Sequence, residues 1–261
     1  MKTTTFLAGS AAIVIAAACA LPASATTLYS TGFEAPTFAP GAIAGQGGWQ
    51  VFSGSGQPAL AQVESGVARS GAQAASVAGS ANGQTGPFYE LNFAASGVID
   101  VSGDIMLTTP TTAASSWQFA VTGPGLSQFA GGIDIYGNSI KAISGNFSTI
   151  GAFSYDVWHH VDIVLDYTAQ RFSIGLDGST IASGLAFCGT NSGCTGAHIS
   201  NFGDGFFDTF GGSSNTGYLD NFSIDTVPGG VPEPASWALM LIGFGGLGAT
   251  LRARRGRAVP A

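Results

Sequence analysis

The sequence predicts an all-β chain built as an antiparallel sandwich, and three observations predict it. Apolar residues alternate with polar or small ones over short runs, which is the period of a strand with one buried face. Gly, Ser, Asn and Asp break those runs, and these are the residues of tight turns. Between residues 26 and 226 no stretch combines a helical apolar period with caps.

In chain order, Tyr89, Leu91 and Phe93 alternate with polar or small residues, and so do Trp117, Phe119 and Val121. Ile133 and Ile135 continue the pattern. Val161, Ile163 and Leu165 alternate with Asp162, Val164 and Asp166, which places the two aspartates on that strand's solvated face. Phe172, Ile174 and Leu176 form the next strand, and Asp177-Gly178 then predicts a two-residue hairpin turn. Residues 219–224 make the last strand. The run from Phe202 to Gly212 is rich in both glycine and phenylalanine and reads as a loop. Phe206, Phe207 and Phe210 in it are a candidate ligand surface, because exposed rings stack on sugars; the same rings also fold back to cap a sandwich, the commoner arrangement.

Composition narrows the partners. Forty glycines with only 9% charged residues would suit a disordered chain, but 18 Phe, 6 Tyr and 4 Trp supply the apolar area of a real core. About 200 residues remain between the two terminal segments, enough for one all-β domain. Within them the only basic residues are Arg69, Lys141 and Arg171, against fourteen acidic ones, a formal charge of about −11. Nucleic acid and anionic lipid surfaces are poor partners for such a domain.

The termini read as targeting segments. Met1-Lys2, an apolar run from Phe6 to Leu21 and Ala23-Ser24-Ala25 predict a signal peptide over residues 1–25, cleaved before Thr26 and passed by the Sec export machinery. Cys19 does not make this a lipoprotein, because Ala16-Ala17-Ala18 lacks the large aliphatic residue of a lipobox. At the other end, residues 227–234 form a linker containing Pro232-Glu233-Pro234. Residues 235–251 carry no charge and span about 26 Å as a helix, slightly under a bilayer's ~30 Å core. Trp237 sits at an interfacial position, and Arg252, Arg254, Arg255 and Arg257 form a cytoplasmic stop in the tail 252–261. Physical chemistry alone makes this a plain membrane anchor.

The pattern Pro232-Glu233-Pro234-x-x-Trp237-Ala238, followed by Leu-Met-Leu-Ile-Gly-Phe-Gly-Gly-Leu-Gly and the arginines, resembles the PEP-CTERM sorting signal in its PEPxxWA variant. That resemblance implies recognition by an exosortase, a membrane cysteine transpeptidase of bacteria that make exopolysaccharide. It also implies processing near Pro232-Glu233-Pro234, with delivery to the cell surface or extracellular matrix. Glu233 is then a recognition residue.

Two further stretches resemble the laminin-G-like, concanavalin A-like jelly-roll superfamily. One is Gly32-Phe33-Glu34, Gly45-Gln46-Gly47-Gly48-Trp49 and the run from Ala68 to Ala74. The other runs from Trp158-His159-His160 to Asp177-Gly178, with Gly217 to Phe222 closing the domain. This resemblance refines the sandwich to a jelly roll, and it implies that calcium ties first and last strands through Glu34 and Asp220, hard oxygen ligands of the right kind. The equal alternative is a pair of exposed turn carboxylates. It also gives His159 a packing or hydrogen-bonding role.

Catalytic constellations are absent from the sequence. Jelly-roll glucanases carry Glu-x-Asp-x-Glu on one strand, whereas Glu34, Glu64 and Glu90 lie far apart here. No Gly-x-Ser-x-Gly or His-Glu-x-x-His occurs. Cys188 and Cys194 flank five loop residues, and after export they are expected to form a disulfide worth about 2–3 kcal/mol. Only His198 lies near them, too few ligands for a zinc site. The sequence thus reads as a non-catalytic surface or matrix protein, with exopolysaccharide as the expected ligand. A secreted glycosidase-like jelly roll and a plain membrane-anchored ectodomain are the alternatives.

Overall fold

Alternation along each strand sorts the side chains into an inner apolar face and an outer mixed one, and two sheets close on the inner faces. The computed structural model describes residues 25–53, 60–79, 84–111, 116–126, 128–145, 147–189, 198–210 and 214–227, all within the compact unit Ser24–Gly230. The signal segment, the sorting motif with its linker, the apolar span 235–251, the basic tail and Cys194 lie outside the described residues. No helix among the described residues is long and apolar enough to cross a membrane.

The strands among the described residues are β1 (Thr26–Thr31), β2 (Gly41–Ala42), β3 (Trp49–Ser53), β4 (Ala61–Ser65), β5 (Gln73–Ala78) and β6 (Gln84–Ala94). Next come β7 (Val98–Leu107), β8 (Ser116–Thr122), β9 (Phe129–Tyr136), β10 (Ser139–Ala142) and β11 (Thr149–Ala152). The chain continues with β12 (His159–Asp166), β13 (Arg171–Leu176), β14 (Ser179–Ala186), β15 (Asn201–Phe210) and β16 (Thr216–Val227). One sheet runs β14-β13-β12-β7-β16-β5-β4-β2, with β1 also paired to β16. The other runs β11-β10-β9-β8-β15-β6-β3. Neighbouring strands in both are antiparallel, for example β12 on β7 and β15 on β8.

Between the sheets lies the core. Val161, Ile163 and Leu165 of β12 and Phe172 and Ile174 of β13 meet Trp117, Phe119 and Val121 of β8, Ile133 and Ile135 of β9, and Phe207 of β15. Asp162 and Asp166 lie on the other side of β12 and are half-buried. Asp177 (φ 50) and Gly178 (φ 78) both turn left-handed, as a type I′ hairpin requires.

The glycine-rich run from Phe202 corrects its reading as a loop. It is β15, paired with β6 on one side and β8 on the other. Its glycines mark close approach, not a turn. A Cβ at Gly205 would stand 2.7 Å from the Phe222 ring, and one at Gly203 would stand 2.3 Å from the Gly123 backbone. Phe207 points into the core, while Phe206 belongs to a second buried cluster with Ala120, Phe129, Ile143 and Cys188.

Candidate functional site

On β8 the core-facing residues are Trp117, Phe119 and Val121, so Gln118, Ala120 and Thr122 face outward. Cross-strand register carries that outer face across the seven-stranded sheet. Asp208 lies opposite Gln118, Gln118 opposite Asp134, and Asp134 opposite Lys141. On the other flank Gly86 sits against Asp208 and pairs with Phe52. A parallel row pairs Gln50 with Phe88, Phe88 with Phe206 and Phe206 with Ala120. A third pairs Glu90 with Asp204 and Asp204 with Thr122.

The outer face is not simply wetted. The Pro124–Leu126 turn and the second apolar cluster cover part of it. What remains is a cavity of about 240 Å³, lined by Phe52, Phe88, Phe129, Phe206, Leu126, Gln84, Gly86, Thr122 and Asp208. Aromatic walls with a few convergent polar groups are the usual make-up of a small-molecule site.

Burial controls the electrostatics of this face. Asp208 is 3% exposed, and burial, opposed by a hydrogen bond from Gln84 and assisted by the charge on Asp134, pushes its carboxyl up to about 8. The Gln84 amide serves Oδ2, while Oδ1 has no partner. Gln118 Oε1 is also buried without a partner. Burial likewise raises Asp204 to about 6, against the hydrogen bond from Thr122 at 2.9 Å and with help from Glu90. Asp134 is raised by burial, offset by Ser116, Lys141 and Gln118. Lys141 also lies over the Tyr136 ring, 5.3 Å from its centroid.

The residues singled out in the sequence fall in three places. Phe206 lines the cavity, Phe207 is in the core and Phe210 is half-buried at the end of β15. Glu34 and Asp220 come to one loop between β4 and β5. β16 carries β5 along Thr216–Leu219 and β1 along Phe222–Thr226, and Asp220 stands at that changeover, where the register slips and Asn221 turns left-handed. Asp220 Oδ2 accepts from the Arg69 and Ser70 amides at 2.8 and 3.0 Å, and Oδ1 from Asn221 at 2.7 Å. Glu34 Oε1 accepts from the Ala72 and Gln73 amides at 2.7 and 3.0 Å. Backbone N–H groups thus hold both carboxylates in place at this loop. Among the described residues no three His, Cys, Asp or Glu side chains converge as a metal site. Cys188 is buried and disulfide-bonded.

The histidines lie on the nine-stranded sheet. His159 Nδ1 is 2.8 Å from Asp177 Oδ2, and its ring packs on Phe153. Burial raises Asp177, but the hydrogen bonds from His159 and the His160 amide outweigh it and hold the carboxyl below its usual value. His160 bridges Asp104 and Asp162 at 3.0 and 3.1 Å on the outer face. Burial and the charges of Asp162 and Asp225 raise Asp100 there to about 6, with His160 opposing. Sequence reasoning did not find Asp134, Asp204, Asp208, Gln118 or Phe52. The spacing Asp204-x-Phe206-x-Asp208 was the available signal, since period two puts all three on one face of a strand.

The two antiparallel sheets define a β-sandwich, and solved structures share that fold. The chain is similar to the cellulose-induced protein Cip1, at 17% identity over 78% of this chain and 99% of that one, with a TM-score of 0.53. It is similar to a carbohydrate esterase, vb_24B_21, from the Shiga toxin-encoding bacteriophage phi24B, at 16% identity over 78% and 99%, with a TM-score of 0.52. A sialidase aligns at 13% identity and a TM-score of 0.50 over 76% of this chain, which spans only 19% of that protein. These identities establish fold alone. Among curated proteins no sequence matches this chain. More particularly, residues 230–255 match the family described as the PEP-CTERM protein-sorting motif. The chain carries that signal, which implies an exported, membrane-anchored precursor, processed by an exosortase and sorted to the cell surface.

Proposed function

We propose that the mature protein is a non-catalytic, polysaccharide-binding component of the cell surface or extracellular matrix. The observation that carries this reading is the aromatic-walled cavity with unpaired buried polar atoms, on a chain whose tail bears a surface-sorting motif. Burial of the carboxylates supports binding over chemistry. Asp204 and Asp208 lie four residues apart on one strand, about 13 Å, too far for a retaining pair. Both β15 aspartates are almost wholly buried.

The test is the mass of the protein recovered from its host's cells and medium, followed by glycan binding of that species. A chain from Thr26 to near Pro232-Glu233-Pro234 that is retained on a polysaccharide is the expected result. A chain that keeps Arg252 to Arg257 would be a plain anchored ectodomain, and the matrix reading would lose its ground.

One observation favours a second reading, a retaining glycosidase. Glu90 and Asp204 are directly opposed, and such pairs hold Cβ atoms about 4.5–5.5 Å apart, close to the carboxyl spacing of that mechanism. Asp204 is the raised, acid-like partner and Glu90 the exposed one. Against it, Asp204 is only 1% exposed and held by Thr122. We expect no turnover of neutral glycans; hydrolysis that disappears in Glu90→Gln would replace the binding reading with this one.

A further inference from the structure

We propose that the cavity beside Phe206 is a subsite for a single uncharged, hydroxylated sugar ring, and that it rejects uronic acids and other anionic sugars. The proposal rests on the polysaccharide-binding reading and names the ligand class of the same site.

Size sets the first limit. At about 240 Å³ the cavity is smaller than the ~300–1,000 Å³ of pockets that enclose drug-sized ligands, so it takes about one ring. Its walls set the second. Phe52, Phe88, Phe129 and Phe206 offer apolar faces that suit the C–H face of a pyranose. Gly86 leaves the floor beside Asp208 without a side chain, and none can be added: a Cβ there would lie 2.3 Å from Asp208 Cβ and from the Phe207 carbonyl oxygen.

The polar groups decide charge. Asp208 lines the cavity, is nine-tenths buried, and leaves Oδ1 unpaired while Gln84 holds Oδ2. A carboxyl's terminal torsion is broad and roughly two-fold, so either oxygen can turn to a ligand. A hydroxyl both donates and accepts, and therefore satisfies Asp208 whether or not it holds a proton. Meeting a buried, unpaired polar atom removes a cost of about 1–3 kcal/mol, which is a source of selectivity. An anionic sugar meets the opposite. No lysine or arginine lines the cavity among the described residues. Lys141, on the same face, sits opposite Asp134 and over Tyr136, and Arg171 donates to the Gly184 carbonyl on the other sheet. Asp204, four residues along β15, and Asp134, two strands across the sheet, add negative charge near Asp208, which disfavours a carboxylate or sulfate.

The experiment titrates the full-length protein against neutral polysaccharides (glucan, mannan, galactan and xylan) and against alginate and polygalacturonate. At least one neutral polymer should bind and the uronates should not. Phe52→Ala, on an exposed edge-strand position, should weaken that binding about tenfold, and Asp208→Leu by as much, whereas Val157→Ala, outside the cavity, should bind as the parent does. Melting of each variant separates lost binding from lost folding. Preferred binding of uronates, or parent-like neutral-glycan affinity in folded Phe52→Ala and Asp208→Leu, overturns the subsite and leaves the polysaccharide reading standing. Absence of binding to every glycan overturns that reading itself, and the subsite with it.

Discussion

Trp49→Ala should cost about 4 kcal/mol, and Trp49→Phe no more than about 1–2 kcal/mol. Trp49 is fully buried on β3, the edge of the seven-stranded sheet. Its ring meets Phe33 at 5.1 Å, Tyr89 at 5.8 Å and, from the opposing sheet, Phe222 at 5.2 Å. Its indole N–H donates to the Tyr29 hydroxyl at 2.9 Å, and β1, which carries Tyr29, belongs to the nine-stranded sheet. One side chain thus fixes a sheet edge to two strands of the other layer. Alanine leaves a cavity that three aromatic rings cannot collapse to fill, and it removes the indole's hydrogen bond to the Tyr29 hydroxyl. Phenylalanine keeps most of the contact and loses mainly the hydrogen bond. For a domain of this size, 4 kcal/mol lowers the melting midpoint by about 8–16 °C. A drop under about 3 °C on calorimetry would mean that the edge is held by something other than Trp49. Val157→Ala, at a half-exposed site, should stay within about 0.5 kcal/mol.

The sandwich was readable where a strand has one wet face. β12 and β13 alternate in sequence because they alternate in burial, and the Asp177-Gly178 turn was readable because left-handed backbone restricts its residues. β15 was not readable. It is buried on both faces, so its pattern shows no alternation, and its glycines answer to Phe222 and Gly123, residues that sequence proximity does not reveal. β5 is hidden in the same way, as a run of small residues buried on both faces. The candidate site was harder still. Glu90 and Asp204, or Asp208 and Asp134, become neighbours only through ladder register between strands distant in the chain. Glu34 and Asp220 both come to the loop between β4 and β5, and the amides that hold them there could not be seen from side-chain identities. The sorting motif is the opposite case. A linear signal read by a processing enzyme is fully present in the sequence, with no fold needed to assemble it.

The domain should be more stable in mild acid than at neutral or alkaline pH. An aspartate in the unfolded chain titrates near 3.9. In the folded protein Asp208 titrates at about 8, and Asp100 and Asp204 at about 6. Between those values the native state keeps protons that the unfolded chain has released, so unfolding releases protons and stability falls as pH rises. The full benefit is present below about pH 4. The share from Asp100 and Asp204 is gone above about 6, and that from Asp208 above about 8. Asp208, wholly enclosed, should account for the largest share of the fall, about 5–6 kcal/mol from the gap between 3.9 and about 8. Asp177, whose carboxyl is held low, acts in the reverse sense, and only as pH drops through its own acidic range. Self-repulsion of a domain with fourteen acidic and three basic residues falls in the same direction as the Asp208 effect, but salt screens it. Asp208→Asn separates the two: it deletes one titration and leaves the rest of the charge in place. Denaturant midpoints at pH 5, 7 and 9 in moderate salt should fall steeply for the parent and much less for the variant above pH 6. Parallel slopes would show that Asp208 ionises freely, and the cavity would then hold a fixed negative charge at neutral pH.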